Sequence, residues 1–192
     1  MGLFDKLFGG KNGDGNKPPE STAVSLDKLM DEEQFWEIIK RSKDKSDGNI
    51  EQQQLKLAEE LNKLAASEIV HFDNRFRYFR GEANTWELWG AIYIIHGGCG
   101  DDSFNDFREW VIGQGRDFYC RTTQNPETLI DVEVGEDWEG LGYVAESVFK
   151  IVTEHEMPRT YQENFETTGE QWEEDGDDLE RMYPKLYAKY NS

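Results

Sequence analysis

The stretch Trp86–Ile95, WELWGAIYII, constrains the fold more than any other part of the chain. Apolar residues fall on nearly every side of a helix drawn through it, so no face of that helix suits water. The run AIYII also has the β-branched character of a short strand. Trp86–Ile95 is too continuous to alternate, however, and Gly97-Gly98 supply a helix stop. Asn84 or Thr85 supplies a start. The run therefore reads as a buried central helix, with Gly90 letting a neighbouring helix approach closely.

The surrounding pattern is helical as well. Asp31 and Gln34 form a capping box, and Met30 and Phe35 the matching hydrophobic staple. Phe35, Trp36 and Ile39 mark the buried face of a helix ending near Ser42. Asn49 and Gln52 cap a second helix, with Ile50, Leu57, Leu61 and Leu64 on its inner face. Ser67 is read as the cap of a third, carrying Ile69, Phe72, Phe76 and Phe79 and stopping at Gly81. Asp101, Asp102 and Ser103 are read as the cap of a helix through Phe104, Phe107, Val111 and Phe118. Gly113 and Gly115 weaken that helix, so either its backbone is closely approached or it ends early. Asn125-Pro126 restarts the chain. Asp131–Gly142 is an acidic loop. Tyr143–His155 reads as a helix with Val144, Val148, Ile151 and Val152 inward, stopped by Met157-Pro158. A last helical segment, Leu179–Tyr190, must kink or restart at Pro184.

The expected fold class is all-α: one multi-helix domain of about six to eight helices. The expected division is a flexible arm and linker over residues 1–25, a helical domain over 26–158, and an acidic segment over 159–192 ending in a short helix packed on the domain. Linker character is plain in Lys11–Ser21, KNGDGNKPPES. Leu3, Phe4, Leu7 and Phe8 in the arm give a short amphipathic pattern. Lys6 is its only base, so residues 2–8 alone do not make a stable membrane anchor.

Of 192 residues, 40 are Asp or Glu and 21 Lys or Arg, a net charge of −19. Residues 121–192 hold 18 acids against 6 bases. Such a field repels nucleic-acid phosphates and anionic lipid and suits a basic protein partner. Arg75, Arg77 and Arg80 do interleave with aromatics. The periodicity turns the three Phe side chains inward, though, where they cannot stack on bases, so these arginines are expected to pair with C-terminal acids. Cys99 and Cys120 are too few for a disulfide framework, and Gly2–Phe8 is too short for a secretory signal. A cytoplasmic protein with reduced thiols is expected.

Chemistry has one main place to reside, the turn His96-Gly97-Gly98-Cys99-Gly100-Asp101-Asp102. A helix start there would lower a thiol pKa. A Cys99 nucleophile with His96 or His71 as base and Asp102 nearby is the enzyme alternative. The other reading is a tight turn with a small packed Cys. His96, Cys99, Asp101 and Asp102 resemble mixed zinc ligands, yet no second ligand pair follows, so neither metal nor cofactor is implied. The acidic stretch Glu173–Glu180 lacks the Glu that a calcium loop needs six residues after its Gly, where Met182 stands. The residues proposed for binding are Asp101, Asp102, Arg108, Gln114 and Arg116, Arg108 being expected to pair with C-terminal acids.

The stretch Trp86–Arg116, WELWGAIYIIHGGCGDDSFNDFREWVIGQGR, together with Phe35-Trp36, resembles a bacterial family known only as a domain of unknown function. The shared motifs are Trp-(Asp/Glu)-Leu-Trp-x-Ala, Gly-Gly-Cys-x-Asp-Asp-x-Phe and Phe-Arg-x-Trp-(Leu/Val)-Ile-x-Gln-Gly. The resemblance spans about Leu29–Pro158 and implies a mainly helical domain; it carries over no reaction, ligand or partner. The function expected from charge and from the lack of a catalytic motif is a non-catalytic, protein-binding module, of which an immunity-type inhibitor is one form. The alternatives are an enzyme at the His96–Asp102 turn and a membrane-peripheral adaptor using residues 2–8.

Overall fold

A computed structural model describes residues 27–135, 139–174 and 177–191. The expectations for the arm 1–25, including Gly2–Phe8 and Lys11–Ser21, lie outside the described residues, as do Asp175 and Gly176 of the acidic loop. Among the described residues the fold is all-α, as the periodicity predicts. The helices are α1 (Glu32–Asp44), α2 (Ile50–Leu61), α3 (Ala66–Glu82), α4 (Trp86–His96), α5 (Asp101–Gly113), α6 (Arg116–Gln124), α7 (Val144–Thr153), α8 (Asp178–Met182) and α9 (Pro184–Tyr190). Two 3-10 turns, Pro126–Asp131 and Leu141–Tyr143, precede α7. The described residues form two compact units, one within 27–75 and 143–161, the other within 76–142 and 162–191.

In the first unit the caps fall where the sequence sets them. Asp31 accepts from the Gln34 N–H at 3.1 Å, and Asn49 from the Gln52 N–H at 2.8 Å. Phe35, Trp36, Ile38 and Ile39 are buried, and the Phe35 ring lies 4.9 Å from that of Phe72. Helix α2 packs against both α1 and α7. Its Glu60 carboxylate is buried, yet three cations reach it: Lys45 and Lys63 at 2.8 Å and Arg41 at 3.3 Å. The hydrogen bonds from Lys45 and Lys63 hold its pKa down at about 2.

Two boundaries here differ from expectation. Helix α3 starts at Ala66 rather than after Ser67, because the Glu68 carboxylate reaches back to the Ala65 N–H at 2.9 Å and closes the helix end itself. Helix α7 stops at Thr153, before Met157-Pro158, with Glu154 left-handed at φ 61°. Its buried face is Val144, Ala145, Val148 and Phe149, while Ile151 and Val152 point outward. Helical spacing alone does not explain their exposure, since Val152 lies four residues on from Val148 and on the same side; both stand in the last turn before the helix ends at Thr153.

The second unit is built on α4, in which no residue is exposed. Thr85 Oγ1 accepts from the Leu88 N–H at 3.1 Å. At the other end Gly97 is left-handed, and the Gly98 N–H returns to Tyr93 O at 2.9 Å. A Cβ on Gly90 would stand 2.9 Å from Leu179 of α8 and 3.0 Å from the Trp172 indole nitrogen. The expected close approach is therefore made by α8 together with Trp172. Residues 162–191 return along α4: the Trp86 N–H donates to Thr168 O at 2.8 Å, Trp172 Nε1 to Trp86 O at 2.9 Å, and the Tyr183 hydroxyl to Glu87 O at 2.6 Å. Helix α9, begun by Pro184 as expected, packs on α4 with Leu186 buried.

Gly81 does not stop α3, which runs to Glu82; a Cβ on the glycine would stand 3.5 Å from Asn164 O, an ordinary contact. Helix α5 does end early, at Gly113, and Gly115 with φ +94° starts α6. Asp101 and Asp102 do not cap α5. Gly100 takes the N-cap place, and the two aspartates occupy the first turn, where their charge faces the positive helix end.

Candidate functional site

Below the surface of the second unit lies a charged cluster. Arg80 of α3 donates to Glu163 through Nε at 2.8 Å and Nη2 at 2.5 Å, and through Nη1 to Glu109 of α5. Arg77 approaches Glu163 at 3.9 Å. Burial works against the Arg80 charge, but Glu163 and Glu109 hold its guanidinium above its ordinary pKa. The Gly142 N–H donates to Glu109 at 2.8 Å. The expected pairing of α3 arginines with C-terminal acid is thus present, with Glu163 as the acid.

Arg108 departs from expectation. Its Nη1 donates to Arg80 O at 2.9 Å, its Nη2 to Asn105 at 3.3 Å, and its guanidinium lies 4.9 Å from the Phe104 ring centroid. It makes no ion pair, because Arg80 already occupies Glu163 and Glu109. Nε is buried without a partner, and burial brings the pKa down to about 10. The geometry is that of a side chain fixed inside the unit, not of a clamp facing solvent.

The five residues proposed for binding do not converge. Asp101 and Asp102 are exposed at the start of α5, whereas Gln114 caps its other end and Arg116 opens α6. Thirteen residues of helix separate Asp101 from Gln114, a rise of about 20 Å. At the acidic end Asp106 joins them. Burial, then Glu139 and Asp102, push its carboxyl above the usual range.

Cys99 carries no sign of an activated thiol. Burial pushes its pKa up to about 11, the opposite of what a helix start does to a thiol facing its N–H groups. The sulfur donates to Gly100 O at 3.7 Å, and Cys99 O accepts from the Trp89 indole at 2.8 Å. Both contacts describe a packed turn. His71 belongs to the first unit. Among the described residues no group of three His, Cys, Asp or Glu side chains is placed to hold a metal ion.

The second unit also contains a cleft of about 490 Å³. Helix α4 contributes Ile95 and His96, and α9 contributes Lys189 and Tyr190. The opposite wall is the segment Ile130–Val134, leaving the 3-10 turn that Pro126 begins. Val132 and Val134 are half-buried and alternate with exposed Asp131 and Glu133. The Lys189 ammonium donates to Ile130 O at 2.8 Å and lies 4.9 Å from the Tyr190 ring centroid. Of the turn residues singled out in the sequence, only His96 reaches this cleft. The Val-Glu-Val alternation at 132–134 was the one local signal for the rest.

A family model described as "Protein of unknown function (DUF4240)" matches residues 30–151. No curated protein matches the chain, and no solved structure does.

Proposed function

The chain belongs to this family, and we propose that it is a non-catalytic cytoplasmic module that binds a basic protein through the acidic surface of its second unit. One observation carries the reading: charge is unevenly shared between the units. Residues 76–142 and 162–192 hold 22 acids and 8 bases, a net −14 of the chain's −19. Three of those eight bases, Arg77, Arg80 and Arg108, are largely turned inside. Asp101, Asp102, Asp131 and Glu133 stay exposed. A surface of this sign speeds encounter with a positive partner and rejects negative ones. The free cysteines suit a reducing compartment, and the raised thiol pKa of Cys99 weighs against the enzyme alternative. No helix of the described residues is long and apolar enough to cross a membrane.

The test is capture of partners from cell extract, then titration of the purified partner at about 0.05 M and about 0.5 M salt. A net-positive partner whose affinity falls at least about tenfold is expected. Neutral or acidic partners only, or affinity indifferent to salt, overturn the reading.

A further inference from the structure

We propose that the cleft between Ile130–Val134 and α9 is the part of this acidic surface that receives a lysine or arginine side chain from an extended, basic segment of the partner. The inference rests on the protein-binding reading and adds where the partner's cation goes. At about 490 Å³ the cleft falls within the roughly 300–1,000 Å³ typical of ligand sites. Its lining mixes polar atoms with the carbon surface of Ile95, Ile130, Val132 and Val134. Two carboxylates, Asp131 and Glu133, stand exposed on its wall, and neither has a hydrogen-bond or ion-pair partner among the described residues. Lys189 also lines the cleft, its ammonium bonded to Ile130 O and over the Tyr190 face, so its one positive charge offsets only part of the two carboxylates' charge.

Carbon surface beside exposed carboxylates fits one side-chain chemistry best. Lysine and arginine bury a methylene stem against carbon and keep the charged head at the rim. A neutral apolar residue would fill the floor and leave both carboxylates unmatched. An acidic one would be repelled.

The backbone gives the reason for an extended partner. Val132 has φ −119° and ψ 136°, and its N–H turns back to Leu129 O. Beyond it the chain runs without helical structure through Gly135, with side chains alternating in and out. A segment of this geometry can take a peptide alongside as an added strand, whose alternate side chains then enter the cleft.

The probe is the blocked hexapeptide acetyl-KVKVKV-amide, compared with the same peptide acetylated on every lysine. Both are titrated into the full chain, with affinity read by calorimetry and position by amide chemical shifts. The expected result is binding of the cationic peptide alone, with shifts centred on Ile95 and Val132–Val134. Asp131→Asn with Glu133→Gln is expected to weaken it at least about tenfold, both residues being exposed and outside the core. Glu173→Gln with Glu174→Gln removes the same charge from residues that do not line the cleft, and is expected to change affinity less than about twofold. Equal weakening by the two double variants, equal binding of the acetylated peptide, shifts centred elsewhere, or no binding of either peptide would each overturn the cleft assignment. The acidic-surface reading survives those outcomes if the salt-sensitive partner is still captured. It falls, and the cleft with it, if no basic partner is found.

Discussion

Glu60 shows how much one side chain can carry. Its carboxylate is buried among Lys45, Lys63 and Arg41, and its pKa lies near 2 rather than 4.5. A carboxyl depressed in the folded state contributes stability above its unfolded pKa and loses it as pH falls through the folded one. Denaturation midpoints should therefore drop between about pH 4.5 and about pH 2, and Glu60→Gln should flatten that part of the profile. Glu163 pairs with Arg80 through two hydrogen bonds. Glu163→Ala leaves the buried Arg80 guanidinium with Glu109 as its remaining acid, and urea unfolding should report a loss of about 1.5–3 kcal/mol. Individual residues were legible in the sequence where the chemistry is local, as at Asp31 and Asn49. They were not where partners are remote. Arg108 looked like half of an ion pair, and only the packing shows that Arg80 holds the acids while Arg108 takes a carbonyl and a ring face.

Elements were legible by period and less so by boundary. The helix Trp86–His96 followed from its continuous apolar run, and Thr85 starts it as the side-chain acceptor for Leu88. Thr85→Ala should lower stability by about 1 kcal/mol, measured by chemical denaturation. Gly90→Leu should cost more, since Leu179 and Trp172 already fill the space a side chain would need. Boundaries erred where a neighbour competed with the nominal signal. Glu68 closed α3 ahead of Ser67, and the helix ran one residue past Gly81. The outward Ile151 and Val152 show the limit of periodicity: it names an apolar stripe, but how far along the helix that stripe is covered depends on what packs there.

At the scale of the molecule, the sequence announced the acidity and its excess toward the C-terminal side, but not which folded unit carries it. The segregation into the second unit appears only when the returning residues 162–192 are assigned beside 76–142. The cleft was hidden for the same reason, since its walls come from three stretches far apart in sequence and only His96 had been noticed. If binding is steered by this field, association rates should fall steeply with ionic strength while dissociation changes little. Stopped-flow mixing with the purified partner would show this.

The family match ends at residue 151, yet Trp172, Leu179, Tyr183 and Leu186 complete the interior around α4. A chain severed after Tyr161 would leave Arg80 bereft of Glu163 and open a trench beside Gly90. The matched region is thus a signature rather than a self-sufficient body, and a gene trimmed to it would yield an aggregating fragment instead of a smaller working protein.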